Sequence, residues 1–196
     1  MSEELDALFR PRTVAIVGAS AQPQKWGHIV MKNVLEAGFR GQVFPVNPRG
    51  GEVLGRPAYA SVRDIPEQVD LAFVGVAAKN IPGVVEDCAA AGCRVAVIVT
   101  SGFGETGPEG REEQERLVES ARAAGLRLVG PNCMGVYSAA ASLYASIGLD
   151  PLRPGRVALI SQSGNVGVAL FRLGIEMGFG FHSFIGVGNQ ADVGFH

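Results

Sequence analysis

The stretch VAIVGASAQPQKWGHIV, residues 14–30, decides the fold. Val14-Ala15-Ile16-Val17 is a short apolar run rich in β-branched residues, the pattern of a strand buried on both faces. It runs into Gly18-Ala19-Ser20, and a helical pattern opens a few residues later at Trp26. Strand, small-residue loop and helix in that order make a nucleotide-binding layout. Small residues let backbone N–H groups approach a phosphate, and the helix N-terminus adds favourable partial charge. The glycines do not have the G-x-G-x-x-G spacing of the dinucleotide fingerprint. Ser20 adds a hydroxyl and Lys25 a cation, which favours phosphate binding over the alternative, a tight strand–helix turn without a ligand.

The same alternation continues along the chain. Candidate strands occupy 13–17, 42–46, 71–76, 94–100, 127–129, 156–160 and 182–187, and candidate helices 26–37, 81–91, 109–124 and 165–177. Gly38, Gly92, Gly125 and Gly178 follow the helices, where a left-handed cap is wanted. Strands alternating with helices through short links predict an α/β fold: a Rossmann-like, doubly wound, mostly parallel sheet with right-handed crossovers. The pattern breaks between 131 and 154, a stretch with three prolines, two glycines and weakly patterned Ala/Ser. It reads as a linker with one irregular strand at 142–147. A new strand–loop–helix–strand starts at Arg156. One such unit cannot bury its own faces, so either it packs on the first sheet or the chain is cut from a longer one. The ending Gly-Phe-His favours the cut.

The bulk numbers narrow the class. Of 196 residues 47% are apolar, enough for a real core, and the net charge is −2, which gives no general electrostatic case for nucleic acid or an anionic membrane. Apolar runs are too short to span a bilayer, and the acidic start is no secretory signal. Cys88, Cys93 and Cys133 are odd in number and read as reduced thiols. A cytoplasmic protein is expected, and a homo-oligomer is compatible with the sequence.

At the end of the second strand, Phe44-Pro45-Val46-Asn47-Pro48-Arg49, no carboxylate stands where an NAD site places one on the ribose. Arg49 stands there instead. That favours a nucleotide with an extra ribose phosphate, NADP or coenzyme A, over the plainer reading of a solvated loop charge.

Four stretches carry a resemblance: VAIVGASAQPQKWGHIV, VFPVNPRGGEVLGRPAYASV, VTSGFGETG and GPNCMGVYS, continued by GRVALISQSGNVG and GVGNQADVGF. In joint order and spacing the chain resembles the CoA-binding domain of the ADP-forming acyl-CoA synthetases, relatives of the succinyl-CoA synthetase α subunit. The resemblance implies a CoA-binding Rossmann-like domain at 1–133, a linker at 134–155, and the first βαβ unit of a flavodoxin-like second domain at 156–196. It implies that Gly18, Ala19 and Ser20, with Lys25 nearby, lie against CoA phosphate, and that Asn47, Pro48 and Arg49 hold the adenosine-phosphate end. Val76, Ala77 and Ala78 would contact adenine or pantetheine through backbone, with Lys79 a nearby cation. Ser101, Gly102 and Phe103 would line the pantetheine path, and Asn132 and Cys133 would sit near the thiol. The family often has proline where this chain has Val76-Ala77-Ala78. Glu105 could serve as a base or CoA amide partner, or be a surface carboxylate. Cys133 reads as a buried thiol in a tight turn rather than a nucleophile, and Cys88 and Cys93 read as core.

Ser161-Gln162-Ser163-Gly164 forms a second small polar loop before a helix, an anion cradle by the same physics, although Ser163 also suits a helix cap. The resemblance makes this the helix that faces a phosphorylated histidine during phosphoryl relay. His28, His182 and His196 are not assigned as that acceptor. The implied reaction joins a carboxylic acid to CoA through acyl phosphate and phosphohistidine. ATP and magnesium would bind an ATP-grasp portion outside this chain, so the piece alone is expected to bind CoA, or acyl-CoA, without turnover. Two other classes stay open: an NADP-linked oxidoreductase domain and a stand-alone CoA-sensing module.

Overall fold

The computed structural model describes residues 3–148 and 153–195. A short α1 (Glu3–Asp6) precedes β1 (Thr13–Val17), α2 (Trp26–Glu36) and β2 (Gln42–Val46). A small hairpin, β3 (Glu52–Val53) and β4 (Arg56–Pro57), leads to β5 (Leu71–Val74), α3 (Ile81–Ala90), β6 (Val95–Ile98), α4 (Pro108–Ala123) and β7 (Arg127–Val129). Then come β8 (Gly135–Ser138), β9 (Leu143–Ser146), β10 (Pro154–Ser161), α5 (Gly164–Met177) and β11 (Phe181–Gly186). Among the described residues no helix is long and apolar enough to cross a membrane.

β2, β1, β5, β6 and β7 form one parallel sheet in that order. The chain leaves β1 first to one side and then to the other, so the strand order reverses between β1 and β5. The sheet is buried on both faces, which explains the near-continuous apolar runs. Val14, Ile16, Phe73 and Val97 face one side with Val30, Met31 and Val34 of α2. Ala15, Val17, Ala72, Val74 and Ile98 face the other, under Val85 and Cys88 of α3 and Leu117 and Val118 of α4. The four glycines after the helices all have φ between 70° and 76°. In each case the residue after the glycine donates its amide five residues back, as in Phe39 to Val34 and Cys93 to Cys88, closing the helix end.

The stretch expected to be a linker differs from that expectation. Within 134–155, β8 and β9 form a hairpin, and β8 pairs antiparallel with β11, giving a second sheet in the order β10-β11-β8-β9. Every residue of β8 and β9 is buried, so the polar/apolar alternation that advertises a strand is missing. Val136, Leu143, Ala145 and Ile185 join the α2 side of the first core. Asn33 of α2 donates to the carbonyls of Ser146 and Gly148, both at 2.9 Å. Helix α2 is thus packed between two sheets, and the second sheet buries its other face under Phe171 of α5 with Phe181 and Phe184.

Candidate functional site

The loops at the carboxyl ends of β1, β2, β5, β6 and β7 meet at the switch point, where ligands of such sheets bind. The β1–α2 loop is shaped by two close approaches. Gly18 has φ +91°, and a Cβ there would lie 2.4 Å from the Gly75 carbonyl oxygen; a Cβ on Gly27 would lie 1.9 Å from the Gly18 oxygen. Only glycine lets α2 start so close to the loop, a packing role like that of the last glycine in dinucleotide folds. The amides of Gly18 and Ala19 both donate to the Val46 oxygen, at 3.0 and 3.1 Å. This corrects the expectation that those two N–H groups face a phosphate: they tie the loop to β2. Within the β1–α2 loop and the start of α2, the amides of Ser20, Ala21, Gln24, Trp26 and Gly27 have no acceptor among the described residues. Lys25 occupies the N-cap of α2 without a side-chain capping bond. The Ser20 hydroxyl accepts from Gln22 N at 3.1 Å, and its carbonyl oxygen lies 3.1 Å from His28 Nδ1.

Asn47 joins the first two loops. Its Nδ2 donates to the Ala19 oxygen at 2.9 Å, and its Oδ1 accepts from Arg49 N at 3.0 Å. The exposed Pro48 and Arg49 therefore stand on the same rim as Gly18–Ser20. On the other side of the switch point, Thr100 Oγ1 donates to Val76 O at 2.7 Å. Ala77 and Lys79 are exposed and Val76 and Ala78 half-buried, with a turn of 3₁₀ helix at Ala78–Asn80. A Cβ on Gly102 would lie 3.2 Å from Ala78 Cβ, so the β5 and β6 loops touch. Ser101 and Gly102 are exposed. Asn132, at φ +56°, is anchored by its amide to Thr100 O at 2.9 Å.

Two expected site residues turn inward. The Phe103 side chain is fully buried in the core under α4, because α4 starts directly on the Phe103 carbonyl, 2.2 Å from where a Gly110 Cβ would sit. Cys133 is buried, with Sγ donating to Ile98 O at 3.2 Å, and burial pushes its thiol up to about 12. It is held protonated and has no use as a nucleophile near neutral pH. Only the backbone of these two residues is left to border the crevice.

Sequence reasoning missed a connection from beyond β11. Glu105 accepts from Gly102 N at 2.5 Å and Phe103 N at 3.2 Å, and from Asn189 Nδ2 at 2.5 Å. Desolvation pushes the Glu105 carboxyl up, and these donors overcome it and hold the group below its ordinary value. Asn189 also donates to Gln114 Oε1 at 2.9 Å, and its Oδ1 accepts from Asn132 Nδ2 at 3.3 Å. Asp192, with no exposed side-chain surface, accepts from Arg122 Nε at 2.6 Å, Arg127 Nε at 2.8 Å and Leu128 N at 2.8 Å. The available signal was the polar run Asn189-Gln190-Ala191-Asp192 inside an apolar C-terminal stretch.

At the second loop, Ser163 is the N-cap of α5, accepting from Val166 N at 3.4 Å, and Ser161 Oγ donates to Ser163 O at 2.8 Å. The Ser163 hydroxyl is thus engaged as the cap. Gln162 is exposed, and a Cβ on Gly164 would lie 2.5 Å from Met134 Cγ. Met134 directly follows Cys133, so this loop lies beside the β7 end of the crevice. His182 is exposed on β11, and His196 lies outside the described residues. A cavity of about 610 Å³ lies elsewhere, between α2 and the second sheet, lined by His28, Lys32, Tyr137 and Tyr144 among others.

A doubly wound parallel sheet whose switch-point loops bring free amides and a cation to one rim has the layout of the nucleotide-binding α/β class. The sequence profile of the CoA binding domain matches residues 12–139, and that of the succinyl-CoA ligase like flavodoxin domain matches residues 154–196. This chain belongs to the CoA-binding domain family. It is 46% identical over 193 residues to the alpha subunit of ADP-forming acetate–CoA ligase I of Pyrococcus furiosus, covering 96% of this chain and 42% of that one. It is 41% identical over 187 residues to ADP-forming acetate–CoA ligase I of Archaeoglobus fulgidus, covering 95% of this chain and 27% of the relative. The acetyl-coenzyme A synthetase 1 of Ca. Korarchaeum cryptofilum, solved with phosphate and ADP, superposes with a TM-score of 0.94 at 41% identity, over 97% of this chain and 41% of that one. The chain therefore spans less than half the length of these relatives.

Proposed function

We propose that this chain is the CoA-binding portion of an ADP-forming acyl-CoA synthetase, and that CoA lies across the mouth of the five-stranded sheet. The observation that carries the reading is the rim built by Asn47, which locks the β1–α2 loop to the β2 tip and sets Arg49 where an NAD site needs a carboxylate. Ser20, the free amides after it and Lys25 hold the pyrophosphate; Asn47, Pro48 and Arg49 hold the ribose phosphate. Val76, Ala77, Ala78 and Lys79 border the adenine and pantetheine. Ser101, Gly102 and the backbone of Phe103 lead to the thiol end at Asn132 and the Cys133 backbone. CoA supplies the thiol that accepts the acyl group, and this chain's part is to bind and aim it.

The first unit ends after Cys133 in this reading, and the hairpin of β8 and β9 opens the second. The whole protein consumes a carboxylic acid, CoA and ATP and releases acyl-CoA, ADP and phosphate, with the loop Ser161–Gly164 and the start of α5 facing the phosphoryl group in transit. In this reading ATP and magnesium bind an ATP-grasp portion of the whole protein. The reading is supported by the family match and by the ligase relatives. Calorimetric titration of the chain with CoA, acetyl-CoA, dephospho-CoA and NADPH tests it. CoA and acetyl-CoA should bind, dephospho-CoA more weakly, and NADPH not at all; binding of NADPH without CoA rejects it in favour of an oxidoreductase domain.

A further inference from the structure

We infer that Asn189, which lies outside the matched CoA-binding segment 12–139, is a positioning residue for the pantetheine half of the site. The second unit thereby completes the CoA crevice. The inference rests on the CoA reading given above and adds which part of the ligand the residue governs.

The geometry is a chain of hydrogen bonds around one end of the crevice. Asn189 Nδ2 donates to Glu105 Oε2, and Glu105 in turn receives the amides of Gly102 and Phe103. The same Nδ2 donates to Gln114 Oε1, which also accepts from Gly104 N at 3.2 Å. One side-chain amide thus fixes the whole 102–104 loop from two sides. Its other end, Oδ1, receives Asn132 Nδ2, and its backbone amide donates to Pro131 O at 2.9 Å. The β6 loop and the β7 turn are both held by one residue of the segment after β11. That segment is itself pinned by Asp192 to Arg122, Arg127 and Leu128, and by Ala191 N to Gly130 O at 3.2 Å. Nothing in this chain of bonds reaches the β1–α2 loop or Arg49. The phosphate rim of the adenosine end is built separately, by Asn47.

The consequence is a split between the two halves of one ligand. Freed from Asn189, the 102–104 loop must be ordered when pantetheine binds, whereas the phosphate rim is unchanged. Losing a hydrogen bond to a charged partner, partly transmitted through a loop, lowers affinity by about tenfold.

The experiment compares CoA with adenosine 3′,5′-bisphosphate, which carries the phosphate end without pantetheine, by calorimetry on the full chain. Asn189→Ala should lose about tenfold in CoA affinity and less than about twofold for the bisphosphate. Glu105→Ala should do the same, and the double variant should lose no more than the worse single one, since both act through one connection. Glu105→Ala also carries the test if Asn189→Ala does not fold, because the 189–192 segment keeps its backbone and Asp192 anchors. Equal losses for both ligands, as general destabilisation gives, overturn the inference, as does unchanged CoA affinity. Wild-type protein that ignores CoA altogether rejects the underlying reading instead.

Discussion

Replacing Asp192 should be the costliest single change on this surface. The carboxylate has no exposed area, whereas Arg127 is 24% and Arg122 54% exposed. In Asp192→Ala, Arg122 turns into water at little cost, since an exposed pair is worth about 0–1 kcal/mol. Arg127 and the buried Leu128 amide fare worse. Removing one partner of a buried pair costs about 3–5 kcal/mol and an orphaned buried amide about 1–3 kcal/mol, and these overlap because the same carboxylate serves both. Discounting for Arg127's partial hydration gives a loss of about 3 kcal/mol. In urea, with a slope near the upper end of 1–3 kcal/mol/M for a chain of this size, the midpoint should fall by roughly 1–1.5 M. Asp192→Asn keeps an acceptor for Leu128 and should lose about 2 kcal/mol. The pH dependence has a definite sign. Desolvation raises the Asp192 carboxyl, but Arg127, the Leu128 amide and Arg122 outweigh it and leave it below its ordinary value. Its stabilisation is therefore full above the unfolded carboxylate range, about pH 4, and is lost as pH falls through the lower native value. Wild type should lose more stability on acidification than Asp192→Asn. Far-UV circular dichroism in urea at neutral and acid pH reads both effects. A stability within about 0.5 kcal/mol of wild type refutes the reasoning.

Four further expectations concern the site. Arg49→Glu should weaken CoA more than dephospho-CoA; equal losses place the ribose phosphate away from Arg49. Ser20→Asp puts a negative charge among the free amides and should cut CoA affinity by more than about tenfold, as for a repelled charge at a helix N-terminus; unchanged affinity moves the pyrophosphate elsewhere. Gly27→Ala must push α2 off the Gly18 carbonyl, so it should lower stability by about 1–3 kcal/mol and weaken CoA binding as well; a variant with wild-type melting and binding contradicts the close packing. Cys133, held near 12 and buried, should resist iodoacetamide at pH 8 until the chain unfolds, and rapid native labelling followed by mass spectrometry would show otherwise.

The parallel sheet was legible because its strands are short Val/Ile runs and its helices end at glycines, two local signals that physics reads without tertiary context. In the hairpin, β9 (Leu143–Ser146) falls within the irregular strand expected at 142–147, whereas β8 and its pairing with β11 were hidden because a four-residue strand buried on both faces shows no alternation. The rim residues of the first loop were legible as a place but not as donors. Small side chains show that backbone can approach a ligand, yet the sequence does not say that the amides of Gly18 and Ala19 close onto Val46 instead. Phe103 was expected to line the pantetheine path, and its burial came from the start of α4, which no local pattern reports. Asn189 and Asp192 act on partners 57 to 84 residues away in sequence. Such pairings arise from the packing of the second sheet on the first and leave no periodic trace.

The most direct measurement is a crystal structure of the chain soaked with CoA. The account predicts the ribose phosphate within about 3 Å of the Arg49 guanidinium, the pyrophosphate at the Ser20 and Ala21 amides, and pantetheine running past Gly102 toward Asn132. CoA lodged instead in the cavity between α2 and the second sheet, or with its phosphates away from Arg49 and Ser20, contradicts it.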